Sequence, residues 1–286
     1  MTTTPDLFSR TGLATAVRPD HLSVLDALQQ TAVRNARLWR RVSDYDVPVP
    51  GLKWTAAETA AHLVGDLRDY TEVLTRYARG YVTHPQLSVD SPSRMSAVVN
   101  ARHLLDVPER NLHRLSVQLE NAVAAYVSVA ATVEAGVPML TPNGLVIDAA
   151  TMTGLLLAEQ LIHGLDIARA CERDWTIERH EALLAVPAVL AVAPEYLRPD
   201  QAQQQISFEI RLRGGAAYRF AVLNGSATLD AAGAPVDCVI TADPAAFLMV
   251  GFGRLPQRAA ALRGKMWASG RRPWCAITFG SLLSHP

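Results

Sequence analysis

The chain is poor in lysine, cysteine, aromatic residues and net charge. Lys53 and Lys265 are the only lysines, and 27 Lys plus Arg balance 27 Asp plus Glu to a formal net charge of zero. With no global field to draw it to nucleic acid or to an anionic membrane, neither is an expected partner. The three cysteines, Cys171, Cys238 and Cys275, are odd in number, far apart and form no CxxC. That spacing argues against a disulfide framework or a structural zinc–cysteine site. The opening MTTTPDLFSR has no basic stretch leading into an apolar core, so it does not read as a secretory signal. No uncharged apolar run reaches the length of a membrane span; residues 182–193 form a short run interrupted by Pro187. A soluble protein in a reducing, cytoplasmic setting is expected. The scarcity of lysine beside abundant arginine and alanine reads as the mark of a GC-rich genome and carries no function.

What remains is apolar and aliphatic. Hydrophobic residues make up 49% of 286, aromatics only 6%, a composition and length that suit packed helices and two domains. Leu22, Leu25, Leu28, Ala32 and Leu38 recur at helical spacing within residues 19–42. Residues 45–52 hold two prolines and a glycine and predict a loop. Thr55 with Glu58 three residues on predicts a capping box and a helix to about Arg79. A long connection is expected over 80–92, a shorter helix over 93–105, and a helix from Pro108 to about Ala135. A turn over 136–144 precedes a fourth long helix, capped by Asp148 or Thr151 and ending near Cys171. Four principal helices predict a bundle over residues 19–175. After a helix over 180–196 the pattern changes to strands at 205–213, 217–223, 227–229 and 237–241, with Gly214-Gly215 and Asn224-Gly225 as hairpin signals. Asp243-Pro244 predicts a helix to Val250, a short helix follows over 256–261, and 266–268 is a last candidate strand. Residues 180–286 are therefore expected to form a segregated α+β domain with a meander-like sheet.

The candidate chemistry lies on two of the helices. Glu159 and His163 are four residues apart, which on a helix puts both on one face. An i,i+4 hydrogen bond is the ordinary use of such a pair. Here it sits within LLLAEQLIHGLDIA, among large apolar residues that leave little of the helix free for solvent. His62 lies on the helix begun by Thr55. Should the two helices pack side by side, two imidazoles and a carboxylate converge and leave a position for a further ligand, as a catalytic divalent metal requires. Glu58 and Asp66, four residues on either side of His62, are candidates to orient its ring, and Asp166 stands in the same relation to His163.

The stretch VPGLKWTAAETAAHL, followed much later by AEQLIHGLDIARA, resembles the DinB-like superfamily, and within it the mycothiol-dependent maleylpyruvate isomerase family of actinobacteria. That resemblance implies a four-helix bundle in which His62, Glu159 and His163 hold a divalent metal, usually zinc. The segment ISFEIRLRGGAAYRFAVLNGSATLDAAGAPVDCVITADPAAFLMVGFGR is similar to sterol-carrier-protein-like domains, which follow the bundle in many such proteins. The implied activity is a thiol transferase or a maleylpyruvate-type cis–trans isomerase. Mycothiol or a similar thiol would be the cosubstrate, activated by the metal to attack a small electrophile. Asp66 and Asp166 are the candidate acid–base or supporting groups. A dicarboxylate substrate would need cationic anchors; Arg254, Arg263, Arg271 and Arg272 are candidates, and Arg271 in SGRRPW is the chosen one. The alternatives are a non-enzymatic metal- or small-ligand-binding protein and a metal-assisted hydrolase. A monomer or a homodimer is compatible with the sequence.

Overall fold

The computed structural model describes residues 20–81 and 92–284. The expected lead-in and nearly all of the connection expected over 80–92 lie outside the described residues.

Helix α1 (His21–Trp39) is capped by Asp20, whose carboxylate accepts from the Ser23 amide. Helix α2 (Ala56–Ala78) carries the expected capping box, with Thr55 and Glu58 each accepting from the other's backbone. Helix α3 spans Pro92–Asp106 and α4 spans Leu112–Ala130. Pro108 does not open α4 as expected. The side chain of Asn111 caps that helix instead. Residues 107–110 are held as a loop by Arg110, which donates to the carbonyls of Leu104, Val107 and Glu109. Nor is 136–144 a simple turn. Strands β1 (Pro138–Leu140) and β2 (Val146–Asp148) form an antiparallel hairpin, too short for alternation to show in the sequence. Asp148, not Thr151, then caps α5 (Ala149–Ala170) by accepting from the Thr151 amide.

Helices α1 and α2 each pack against both α4 and α5, so the four close a ring, with α3 laid on α2. Helix α5 is buried over most of its surface, as expected of a helix that is apolar all round. Its few buried polar groups fix its register. Asn35 of α1 donates to the carbonyl and side chain of Gln160, and Tyr126 of α4 bonds Thr153 at 2.8 Å. Helix α6 (Arg179–Val192) packs on α5 and α1, with Glu181 accepting from Thr31 and Arg34.

The remainder builds a five-stranded sheet in the order β5-β4-β3-β6-β7. Strands β3 (Ile206–Leu212), β4 (Ala217–Leu223) and β5 (Ser226–Ala231) form the expected meander. Strand β6 (Cys238–Ala242) departs from it by returning parallel to β3, and β7 (Met266–Ser269) pairs antiparallel at the edge. Between β6 and β7 lie α7 (Pro244–Gly251), which packs on α6, and α8 (Gln257–Leu262). The 3-10 segment Pro273–Ser281 brings Phe279 against Phe208, Phe220 and Phe247, with ring centroids 5.2, 5.6 and 6.2 Å away. Among the described residues no helix is long and apolar enough to cross a membrane.

Glycines set two of the closest helix approaches. A Cβ on Gly154 would lie 2.5 Å from Cβ of Ala188 on α6, and one on Gly65 would lie 2.7 Å from Cβ of His103 on α3. Gly65→Ala must therefore push α3 off α2. We expect it to destabilise the protein by about 1–3 kcal/mol, read as a lower denaturant midpoint; an unchanged midpoint would show that α3 yields freely.

Candidate metal centre

Where α2 packs against α5, His62, Glu159 and His163 meet. Glu159 Oε2 lies 3.5 Å from Nε2 of His62 and 3.1 Å from Nε2 of His163. One potential ligand atom from each residue lies within 4.8 Å of the others. Tetrahedral coordination with bonds of about 2.0–2.1 Å sets ligand atoms about 3.3 Å apart, close to the two distances observed. Both imidazoles are buried, while Glu159 keeps a partly open side chain facing a cavity.

Hydrogen bonding settles which ring nitrogens face inward. His163 Nδ1 lies 2.9 Å from Asp166 Oδ2. A carboxylate only accepts, so Nδ1 carries the proton and Nε2 of the neutral ring presents a lone pair to Glu159. On the other side, His103 Nε2 lies 3.1 Å from Asp69 Oδ2, and His103 Nδ1 lies 3.1 Å from Nδ1 of His62. By the same logic His103 donates to Asp69 through Nε2 and accepts from His62 at Nδ1. Nε2 of His62 is then also a bare lone pair. With both rings neutral, three acceptors would converge with no hydrogen between them, a donor set that fits a cation and is otherwise repulsive.

Without a cation, protons must compensate, and the two histidines respond oppositely. Burial pushes His62 down to about 4. Burial acts on His163 in the same sense, but hydrogen bonds to Asp166 and Glu159 outweigh it and hold that ring up to about 9. Glu159 is also opposed by burial, yet bonds to both imidazoles keep it well below the usual carboxylate range.

Around the three lies a second set of contacts, partly unforeseen in the sequence. Trp54 covers the rings of His62 and His163, with centroids 5.1 and 6.4 Å away. Asp166 is gripped by Arg254, whose Nε and Nη2 approach its carboxylate at 3.0 and 2.7 Å. His103 is the residue that the sequence did not single out. It is a lone histidine on a helix without a strong pattern, and only the packing of α3 on Gly65 brings it to His62. The orienting role considered for Glu58 falls away, because its carboxylate is engaged in the capping box.

Asp166 is therefore in contact with the cluster, whereas Arg271 is not brought to it. Its guanidinium, exposed at the sheet edge, pairs with Asp237, as does that of Arg272. Arg254 comes to the site, but as the partner of Asp166. Asp66 lines the cavity with no hydrogen-bond or ion-pair partner among the described residues, and burial pushes its carboxyl up to about 7. The cavity, about 300 Å3, runs from the cluster between α5, α6, α7 and the C-terminal segment.

No protein-family model matches the chain, and no curated protein matches it in sequence. Solved structures do match its fold. The mycothiol-dependent maleylpyruvate isomerase aligns at a TM-score of 0.56 and 13% identity, over 88% of this chain and 93% of that one. A variant of that isomerase with one histidine replaced by alanine aligns equally well. At such low identity the likeness establishes a shared fold: a helical part followed by a sheet-containing part.

The raised pKa of Asp66 has a sign that can be checked. The folded state holds the proton more tightly than the unfolded chain. The group's stabilising contribution is thus fully present below about pH 4 and is lost as pH rises through about 7. In metal-free protein, Asp66→Asn should raise the denaturant midpoint at pH 8, with the gain shrinking toward pH 5. Equal effects at both pH values would show that Asp66 is ionised throughout.

Proposed function

We propose that this protein is a metal-dependent enzyme using a low-molecular-weight thiol, mycothiol or a close chemical relative, as a transferase or a cis–trans isomerase. One observation carries the reading: three lone-pair donors, His62 Nε2, His163 Nε2 and a Glu159 oxygen, face one another in the wall of a cavity. Two nitrogens and an oxygen with room for a fourth ligand suit zinc. A divalent ion there would lower the pKa of a thiol bound beside it and so supply a thiolate near neutral pH. The fold shared with a mycothiol-dependent isomerase supports this choice over the alternatives. We place a DinB-like bundle in the first part and a sterol-carrier-like unit in the second, divided near residues 175–180, in a cytoplasmic protein.

The chain's own groups would prepare the site. Asp69 through His103 fixes the tautomer and angle of His62, and Asp166, neutralised by Arg254, does so for His163. Asp66, unpartnered on the cavity wall and with a pKa near neutrality, is the group suited to take a thiol proton and return it to product carbon. Trp54 screens the imidazoles from water.

Metal analysis and a thiol reaction test this together. Purified protein should retain close to one zinc per chain, His163→Ala should lose it, and His103→Gln should bind it about 10–100-fold more weakly. Zinc retained equally by His163→Ala would overturn the ligand set. Zinc-loaded protein given mycothiol and monobromobimane should form the thioether, seen by mass, faster than the protein-free control. If the metal binds and the thioether does not exceed that control, the non-enzymatic binding protein or the hydrolase is the better reading.

A further inference from the structure

The walls of the cavity bear on what can enter it. Leu155 and Leu156 of α5, Val189 of α6, Phe247 and Val250 of α7, and Phe279 are among its apolar lining residues. Among the described residues that line it, Arg254 is the only arginine or lysine, and its three nitrogens are already engaged. Nε and Nη2 donate to Asp166, and Nη1 donates to the Phe252 carbonyl. The cavity also contains the carboxyl groups of Asp66 and Glu159. A divalent ion held by Glu159 would leave one net positive charge, enough for one carboxylate; a second would meet apolar walls, the Asp66 carboxyl and a guanidinium already paired with Asp166, a costly burial. The other polar lining groups include an uncharged set. Asn143 donates to Ser96 at 3.2 Å, and Ser96 lies 3.5 Å from the Tyr196 hydroxyl. Such groups suit a neutral carbonyl.

We propose that the electrophile taken by this cavity is an uncharged, largely apolar molecule bearing a neutral carbonyl, such as an α,β-unsaturated ketone, and that dicarboxylates are excluded. The proposal deepens the thiol-enzyme reading, but its binding half does not depend on it. For the unsaturated ketone, the thiol sulfur bonds to the β carbon and the π electrons shift toward the carbonyl. The α carbon finally takes the proton released by the thiol. No oxidant, reductant or leaving group is involved.

Zinc-loaded protein is titrated with N-phenyl-1-naphthylamine, a neutral apolar dye that brightens in such cavities. It is then challenged with benzylideneacetone or with maleate or maleylpyruvate. Stoichiometric dye binding is expected, displaced by the ketone and not by the dianions at about tenfold higher concentration. Two variants place the binding in this cavity. Val189→Trp should fill it, and Val250→Arg should introduce a free cation; each should weaken dye binding at least about tenfold, and Val250→Arg should begin to admit maleate. Metal content and thermal melting confirm that each variant is folded, and a misfolded one leaves the other and the dianion comparison to decide. Dianions that displace the dye as well as the ketone does, absence of dye binding, or dye binding untouched by the folded Val189→Trp protein would overturn the proposal. Ketone binding without thiol addition above the uncatalysed rate would instead sink the enzymatic reading and leave the cavity's selectivity standing. Efficient isomerisation of maleylpyruvate would do the reverse.

Discussion

The Glu159 carboxylate, held 3.5 and 3.1 Å from the Nε2 atoms of two imidazoles, is the constraint to which the surrounding structure answers. Neither imidazole could sit there if α2 and α5 slid by a turn, and much of the helical part prevents that. Alanines and glycines on the facing surfaces let the helices come close, and buried pairs such as Asn35 with Gln160 and Tyr126 with Thr153 allow one register of α5 against α1 and α4. Buried polar ties of this kind contribute modestly to net stability, but a slip that leaves them unpaired costs the full desolvation of each group. Their effect is to specify the register.

The two imidazoles are supported unequally. His163 rests on a carboxylate that is buried and paired with Arg254. His62 rests on the His103 imidazole, and the carboxylate behind that, Asp69, is partly open to solvent and shared with Arg102. Burial lowers both rings; the bonds to Asp166 and Glu159 outweigh it for His163, while the bond to Glu159 does not for His62, so their proton affinities move apart, to about 9 and about 4. Arg254 follows α7, so part of the electrostatic support of a helix-borne cluster comes from the sheet-containing half. The two halves of the chain are coupled at the site itself.

What the sequence made legible follows from which signals are local. Capping chemistry at Thr55 and Glu58, the i,i+4 step from Glu159 to His163, and the turns at Gly214-Gly215 and Asn224-Gly225 between β3, β4 and β5 are written within a few residues, and all take the form expected. The hairpin at 138–148 escaped because three-residue strands have no visible period. The start of α4 was misplaced because Pro108 is as suited to a tied loop as to a first helical turn. His103 was illegible for a different reason. Its position depends on α3 meeting α2 at Gly65, and nothing near residue 103 encodes that contact. Arg271 was singled out for its neighbours in SGRRPW, yet Asp237, a distant residue, claims it.

Arg254 shows why the shared fold does not fix the substrate. An arginine beside a metal-binding cluster would ordinarily suggest an anchor for an acidic ligand. Here its carboxylate partner is Asp166, and the same contact that steadies His163 engages the one guanidinium that lines the cavity among the described residues. The cluster and its supports lie mainly on α2, α3 and α5, while much of the wall that would select a partner comes from α6, α7 and the C-terminal segment. Walls of this kind can change while the three converging ligand atoms stay as they are, so the chemistry a fold can host and the molecule it admits are set by different parts of the chain.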